Sequence, residues 1–112
     1  MDNNLTWEIF EQSDMRIGTV IEVLHFPEAI KPAYKLRIDF GHEIGIKQSS
    51  AQITVRYNPE DLLGKQVIAV VNFPSKKIGP WQSECLVLGI TTPQGVVLLS
   101  ADSKVSNGLR IH

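Results

Sequence analysis

Cysteine is almost missing from this chain. Cys85 stands alone among 112 residues, which rules out an internal disulfide and leaves no sign of an oxidising compartment. Long hydrophobic runs are missing too. The longest aliphatic stretch is Val67 to Val71, far short of the roughly twenty residues a membrane helix needs. The opening MDNNLTWEIFEQSD has neither the basic start nor the apolar stretch of a secretory signal, so a cytoplasmic protein without membrane insertion is expected. His25, His42 and His112 lie far apart, and no His/Cys spacing of the metal-binding kind occurs. A glycine-rich phosphate loop is also absent. No metal and no cofactor are expected. An enzyme acting through Cys85 would need a histidine partner, whereas Cys85 sits in an apolar stretch suited to a small buried thiol. A non-enzymatic protein is the expectation.

Charge of one sign is equally scarce. Eleven Lys and Arg against twelve Asp and Glu give a net charge of −1, which argues against a protein that coats nucleic acid indiscriminately. The charges are unevenly placed. Residues 1–28 hold six acids (Asp2, Glu8, Glu11, Asp14, Glu22, Glu28) and one base, Arg16, while the remainder holds ten bases and six acids. An acidic leader thus precedes a mildly basic body with room for a local cationic surface. At this length one domain with one modest core is expected, spanning residues 1–112.

What is present is a succession of strand signals. Leu5, Ile9 and Phe10 fall on one face of a short N-terminal helix, within residues 1–13, with Asn3 and Asn4 as candidate caps. Such a helix is too short to stand alone and must dock on something. Asp14 to Phe26 alternates, with Met15, Ile17, Ile21 and Val23 on one face and Gly18 as a candidate bend or bulge. Tyr34 to Phe40 alternates cleanly. Gly41-His42 then turns the chain into Glu43 to Gln48, with Ile44 and Ile46 inward, as a hairpin. Asn58-Pro59-Glu60-Asp61-Leu62-Leu63-Gly64 reads as a capped helical turn. Val67 to Val71 and Leu86 to Ile90 are apolar runs suited to buried strands. A last strand near Val96 to Ser100 opens a C-terminal extension of about 91–112. Three strands, a short helix and two strands is the order of an OB-fold, a five-stranded Greek-key barrel, here all-β with short helices and extensions at both ends.

The stretch between the two apolar runs carries Pro74, Lys76, Lys77, Gly79, Pro80, Trp81 and Ser83. A stiffened loop with cations and a large aromatic, held between buried strands, suits a binding site. In an OB-fold it is one wall of the usual ligand face, and Phe26 to Ala33 is another. Lys35, Arg37 and Lys47 are assigned to the polar faces of the hairpin, Lys76 and Lys77 to the rim, and Arg56 to its approach. Phe73, Trp81 and Phe26 are candidate apolar or stacking surface. Trp81 has a second reading as a core residue folded back under the loop, and Lys35 and Arg37 a second reading as ordinary solvated charges. Cations with aromatics between them suit single-stranded or loop nucleic acid. A hydrophobic floor with a charged rim suits an extended peptide equally well.

The runs DMRIGTV (Asp14 to Val20), LRIDFG (Leu36 to Gly41) and VNFP (Val71 to Pro74) resemble the tRNA-binding OB-domain family. IGIKQSSAQIT (Ile44 to Thr54), YNPEDL, KQVIAVVNFP and SECLVLG are similar to its CsaA-type, export-related chaperones, and the likeness covers roughly Phe10 to Ile111. The resemblance implies a homodimer built through the terminal extensions. It implies binding of unfolded or pre-secretory polypeptides in the OB cleft in support of protein export, and engagement of the preprotein translocase motor. Candidate ligand-binding residues, for peptide or tRNA, are Lys31, Lys47, Gln48, Ser49, Arg56, Phe73, Lys76, Lys77, Trp81 and Ser83, of which the resemblance carries over Ser83. The alternative is a structure-selective tRNA-binding module. Against it, Ser83-Glu84-Cys85-Leu86 stands where the tRNA-binding relatives carry Ser-x-Gly-Met, so Glu84 puts an anion near the expected phosphate path.

Overall fold

The computed structural model describes residues 3–112; Met1 and Asp2, the start of the expected N-terminal segment, lie outside the described residues. Helix α1 (Trp7–Glu11) is followed by β1 (Met15–His25), β2 (Tyr34–Asp39), the helical turn α2 (Gly41–Ile44), β3 (Ile46–Ala51) and α3 (Pro59–Leu62). Then come β4 (Gln66–Val70), β5 (Lys76–Ile78), β6 (Trp81–Ser83), β7 (Leu86–Val87), β8 (Gly89–Thr92) and β9 (Gly95–Leu98). Five strands form one antiparallel sheet in the order β3-β2-β1-β4-β7. Its two edges meet, because Glu84 N–H donates to Gln48 O at 2.8 Å and Ser49 Oγ donates to Cys85 O at 2.8 Å. The result is a nearly closed OB-fold barrel, as the order of sequence signals predicts.

Inside it lie Val20, Leu36, Ile38, Phe40, Val67 and Ala69, all fully buried. Alternation along β2 delivers three of them, since Leu36, Ile38 and Phe40 share a face. Leu62 of α3 is fully buried in the same core. The turn is set as its sequence predicts, with Pro59 in the first helical positions and Asp61 accepting from the Asn58 N–H at 2.9 Å.

Five sequence expectations need correction. Leu86 to Ile90 is not one buried strand: it divides between β7 and β8, and Leu86 and Ile90 are exposed. The β1 bulge falls at Ile21, between the pairs Val20↔Ile38 and Glu22↔Arg37, and not at Gly18. One extra residue reverses the facing of everything beyond it, so Val20 and Val23 face inward and Ile21 is exposed. Gly18 serves packing instead: a Cβ there would lie 2.6 Å from the Phe40 ring. Ile46 is 56% exposed, because α2 delays the strand and leaves Ser49 and Ala51 as the inward residues of β3. Helix α1 is capped by Thr6, whose Oγ1 accepts from Ile9 N–H at 3.2 Å, rather than by Asn3 or Asn4.

Beyond β9 the chain runs back along the start of β1. Gly108 N–H donates to Ile17 O at 2.8 Å, and Ile111 N–H donates to Met15 O at 2.9 Å. At Gly108 the backbone has φ +93°, and a Cβ would meet Phe40 O at 2.5 Å, so only glycine lets the tail lie this close. Arg110 donates to the carbonyls of Glu11 and Ser13 at 2.6 and 3.4 Å, tying the end of α1 to the tail. No helix among the described residues is long and apolar enough to cross a membrane.

Candidate functional site

The segment between β4 and β7 is a hairpin laid over β3. Strands β5 and β6 pair Lys76↔Ser83, Lys77↔Gln82 and Ile78↔Trp81, with Gly79-Pro80 at the turn. Because side chains alternate, Lys76, Ile78, Trp81 and Ser83 face one side, and Lys77 and Gln82 the other. Trp81 pins the hairpin down. It is only 8% exposed, packs with Phe26 and Ala33, and donates from Nε1 to Ser49 O at 2.9 Å. The second reading of Trp81, as a core residue, is therefore the observed one.

Gln48 supplies most of the remaining seat. Its Nε2 donates to Gln82 O at 3.1 Å, its backbone N–H donates to the Glu84 carboxylate at 2.9 Å, and its carbonyl accepts from Glu84 N–H at 2.8 Å. The Ser49 hydroxyl is fully buried and spent on Cys85 O. Ser49 and Trp81, both placed in the site from sequence, thus support its wall from behind.

Two open grooves flank the hairpin. The first, of about 240 Å³, is lined by Phe73, Pro74, Lys76, Ser83, Glu84, Cys85 and Leu86. It brings together three sequence-selected residues, Phe73, Lys76 and Ser83, and its floor is apolar. The second, of about 290 Å³, lies between the β1–β2 loop and β3 and is lined by Ala29, Ile30, Lys31, Ala33, Ser50, Gln52 and Ile78. Lys31 is the sole sequence-selected residue in it. Pro74, Leu86, Ile30 and Ile78 were not selected. The exposed isoleucine between Pro27 and Pro32 was the available signal for Ile30.

The cations divide into two groups. Lys35 and Arg37, on the outer face of β2, are engaged. Lys35 Nζ lies 5.2 Å from the Phe26 ring and 5.4 Å from the Trp81 ring, and 3.9 Å from Glu28. Arg37 stacks over Trp81 at 5.4 Å and pairs with Glu22 at 2.7 Å. They roof the indole. Lys31, Lys76 and Lys77 are exposed and form no ion pair among the described residues. Lys47 does not share the outer face: the register sets it opposite Ile38, and Arg37 opposite Gln48. Arg56 lies against Gly95 in the β8–β9 turn, away from both grooves.

Cys85 lines the first groove yet is buried. Burial pushes its thiol up to about 11, partly offset by a hydrogen bond with Ser49 and by the charge of Lys47. The shift keeps the thiol protonated at neutral pH, and the stability tied to that form is lost only as pH rises toward about 11. A maleimide near pH 8 should therefore label the native protein about a hundredfold more slowly than the unfolded chain. Equal rates would place Cys85 at the surface.

Residues 15–110 match the family described as "Putative tRNA binding domain". The crystal structure of the CsaA chaperone protein from Picrophilus torridus is 50% identical, with a TM-score of 0.92, covering 97% of this chain and 100% of that one. The chaperone CsaA structure from Bacillus anthracis is 52% identical, with a TM-score of 0.90, covering 97% and 99%. The methionine–tRNA ligase of Thermococcus kodakarensis is 33% identical over 96% of this chain, which spans 14% of the ligase. The chain belongs to the tRNA-binding OB-domain family, and within it to the CsaA type.

Proposed function

We propose that this protein is a cytoplasmic, non-enzymatic chaperone that holds unfolded or pre-secretory polypeptides across the β5–β6 hairpin and assists their export, with the preprotein translocase motor as a partner. The observation that carries this reading is the first groove, whose floor of Phe73, Pro74 and Leu86 offers apolar surface while Lys76 and Glu84 balance its charge. Phe73 is 55% exposed, so an extended segment gains burial there without displacing core residues. Identity of 50–52% with the CsaA chaperones across nearly the whole chain supports it. A tRNA-binding module is the second reading, favoured by the family match and by the exposed Lys31, Lys76 and Lys77. The test is a competition. A fluorescent unstructured peptide should bind the purified protein, and equimolar tRNA should fail to displace it at physiological salt. Complete displacement there, or no peptide binding, favours the tRNA module.

The working form in this proposal is a homodimer. Leu5, Trp7 and Ile9 of the N-terminal segment and Leu109 of the tail are exposed, Trp7 at 82%. A groove of about 310 Å³ opens among Leu5, Thr6, Trp7, Phe10 and His112. Arg110 holds helix and tail together, so the two extensions form one apolar surface for an isologous contact. Light scattering at micromolar concentration should give twice the 12.5 kDa chain mass, and deletion of residues 1–12 should lower it to a folded monomer. A monomeric full-length chain would remove this element of the proposal.

A further inference from the structure

Strand β3 is an edge of the sheet, and at Gln48 both backbone groups point away from β2 toward the hairpin. In an ordinary ladder a neighbouring strand would answer the pair with its own N–H and C=O. Here Glu84 answers with its N–H, at 2.8 Å, and with its carboxylate, at 2.9 Å. A side-chain anion thus takes the place of a neutral backbone carbonyl. That anion is fixed in the wall of the first groove, where Lys76 and Glu84 are the charged lining residues.

We propose that Glu84 is a specificity-determining residue: its clasped carboxylate cancels the field of Lys76 and turns the groove from phosphate-bearing ligands toward apolar polypeptide segments that are neutral or carry a cation. This rests on the groove being the ligand site of the proposed function. The Gln48 N–H, which lies outside the groove lining, holds the Glu84 carboxylate in place. A polyanion entering the groove therefore meets a fixed like charge. A basic side chain on a peptide meets a carboxylate with lone pairs to spare.

Glu84→Gln separates the charge from the clasp, because its amide oxygen still accepts from Gln48 N–H, whereas Glu84→Ala loses both. The probes are a bulk tRNA preparation, a neutral apolar peptide and the same peptide with one added lysine. Glu84→Gln should raise tRNA affinity about tenfold near 50 mM salt and steepen its salt dependence by about one phosphate contact. It should weaken the lysine peptide about threefold relative to the neutral peptide. Its melting temperature should stay near wild type while that of Glu84→Ala falls. Ser83→Lys keeps the clasp and brings the groove to the same net charge, so it should reproduce the tRNA gain even if Glu84→Gln folds poorly. If neither variant binds tRNA better, the assignment is wrong while peptide binding by the wild type stands. A wild type that binds neither peptide overturns the proposed function itself.

Discussion

Replacing Trp81 by alanine should lower the stability of this protein by about 3 kcal/mol, within the usual range for a buried aromatic truncated to Ala. For a domain of this size that is a fall in melting temperature of about 10 °C or more. The loss has three sources. The indole fills the space between Phe26 and Ala33. Its Nε1–H donates to Ser49 O in a buried setting, and that hydrogen bond is lost. Lys35 and Arg37 lose the ring they cover. Trp81→Phe keeps most of the packing and should cost about 1–1.5 kcal/mol for the hydrogen bond alone. Phe73→Ala supplies the contrast. It removes an exposed side chain from the groove, so stability should change by less than about 0.5 kcal/mol while peptide affinity drops about tenfold, as for an interface aromatic. Thermal melts and peptide titrations on the three variants check this. A Trp81→Ala protein that melts like wild type, but no longer binds peptide, would move the tryptophan from the wall's support to the ligand face.

Those contrasts mark how far the sequence could be read. The barrel was legible because its determinants are local: the clean alternation of β2, the proline and acids opening α3, the apolar run of β4. Ile21 was misplaced for a physical reason. A bulge reverses side-chain facing without any change in composition, and β1 reveals it only against the register of β2. Ile46 was misplaced because a four-residue helical turn, Gly41–Ile44, consumes the residues that a tight hairpin would have given to β3. Gln48 and Ser49 are assigned to the ligand site from sequence, whereas their hydrogen bonds seat the hairpin, and nothing local distinguishes a hydroxyl that meets a ligand from one that meets Cys85 O. Lys76, Ser83 and Phe73 were drawn together because one hairpin carries them. Lys31 and Ile78 meet across a loop that no periodicity describes.

The salt dependence of binding should separate the two functional readings by about an order of magnitude. Of the cations near the hairpin, Lys35 and Arg37 are held by Glu28 and Glu22, which leaves Lys31, Lys76 and Lys77 as exposed donors to a phosphate backbone. Three contacts give a logarithmic slope between about −2 and −3, so raising salt from about 50 to 200 mM should weaken tRNA binding by about 20- to 40-fold. An apolar peptide on Phe73, Pro74 and Leu86 releases few counterions. Its affinity should change less than about threefold over the same range, and its binding should carry a negative heat-capacity change. The double variant Lys76→Glu/Lys77→Glu sharpens the comparison. It should flatten the tRNA slope by about two contacts and leave the melting temperature nearly unchanged, because exposed, unpaired lysines contribute little to folding. Peptide affinity should persist, since the apolar floor is untouched. The opposite pattern is equally clear. Tight tRNA binding that survives physiological salt and collapses in the double variant, with no measurable affinity for unfolded polypeptide, would make the hairpin an RNA-binding element and the chaperone reading untenable.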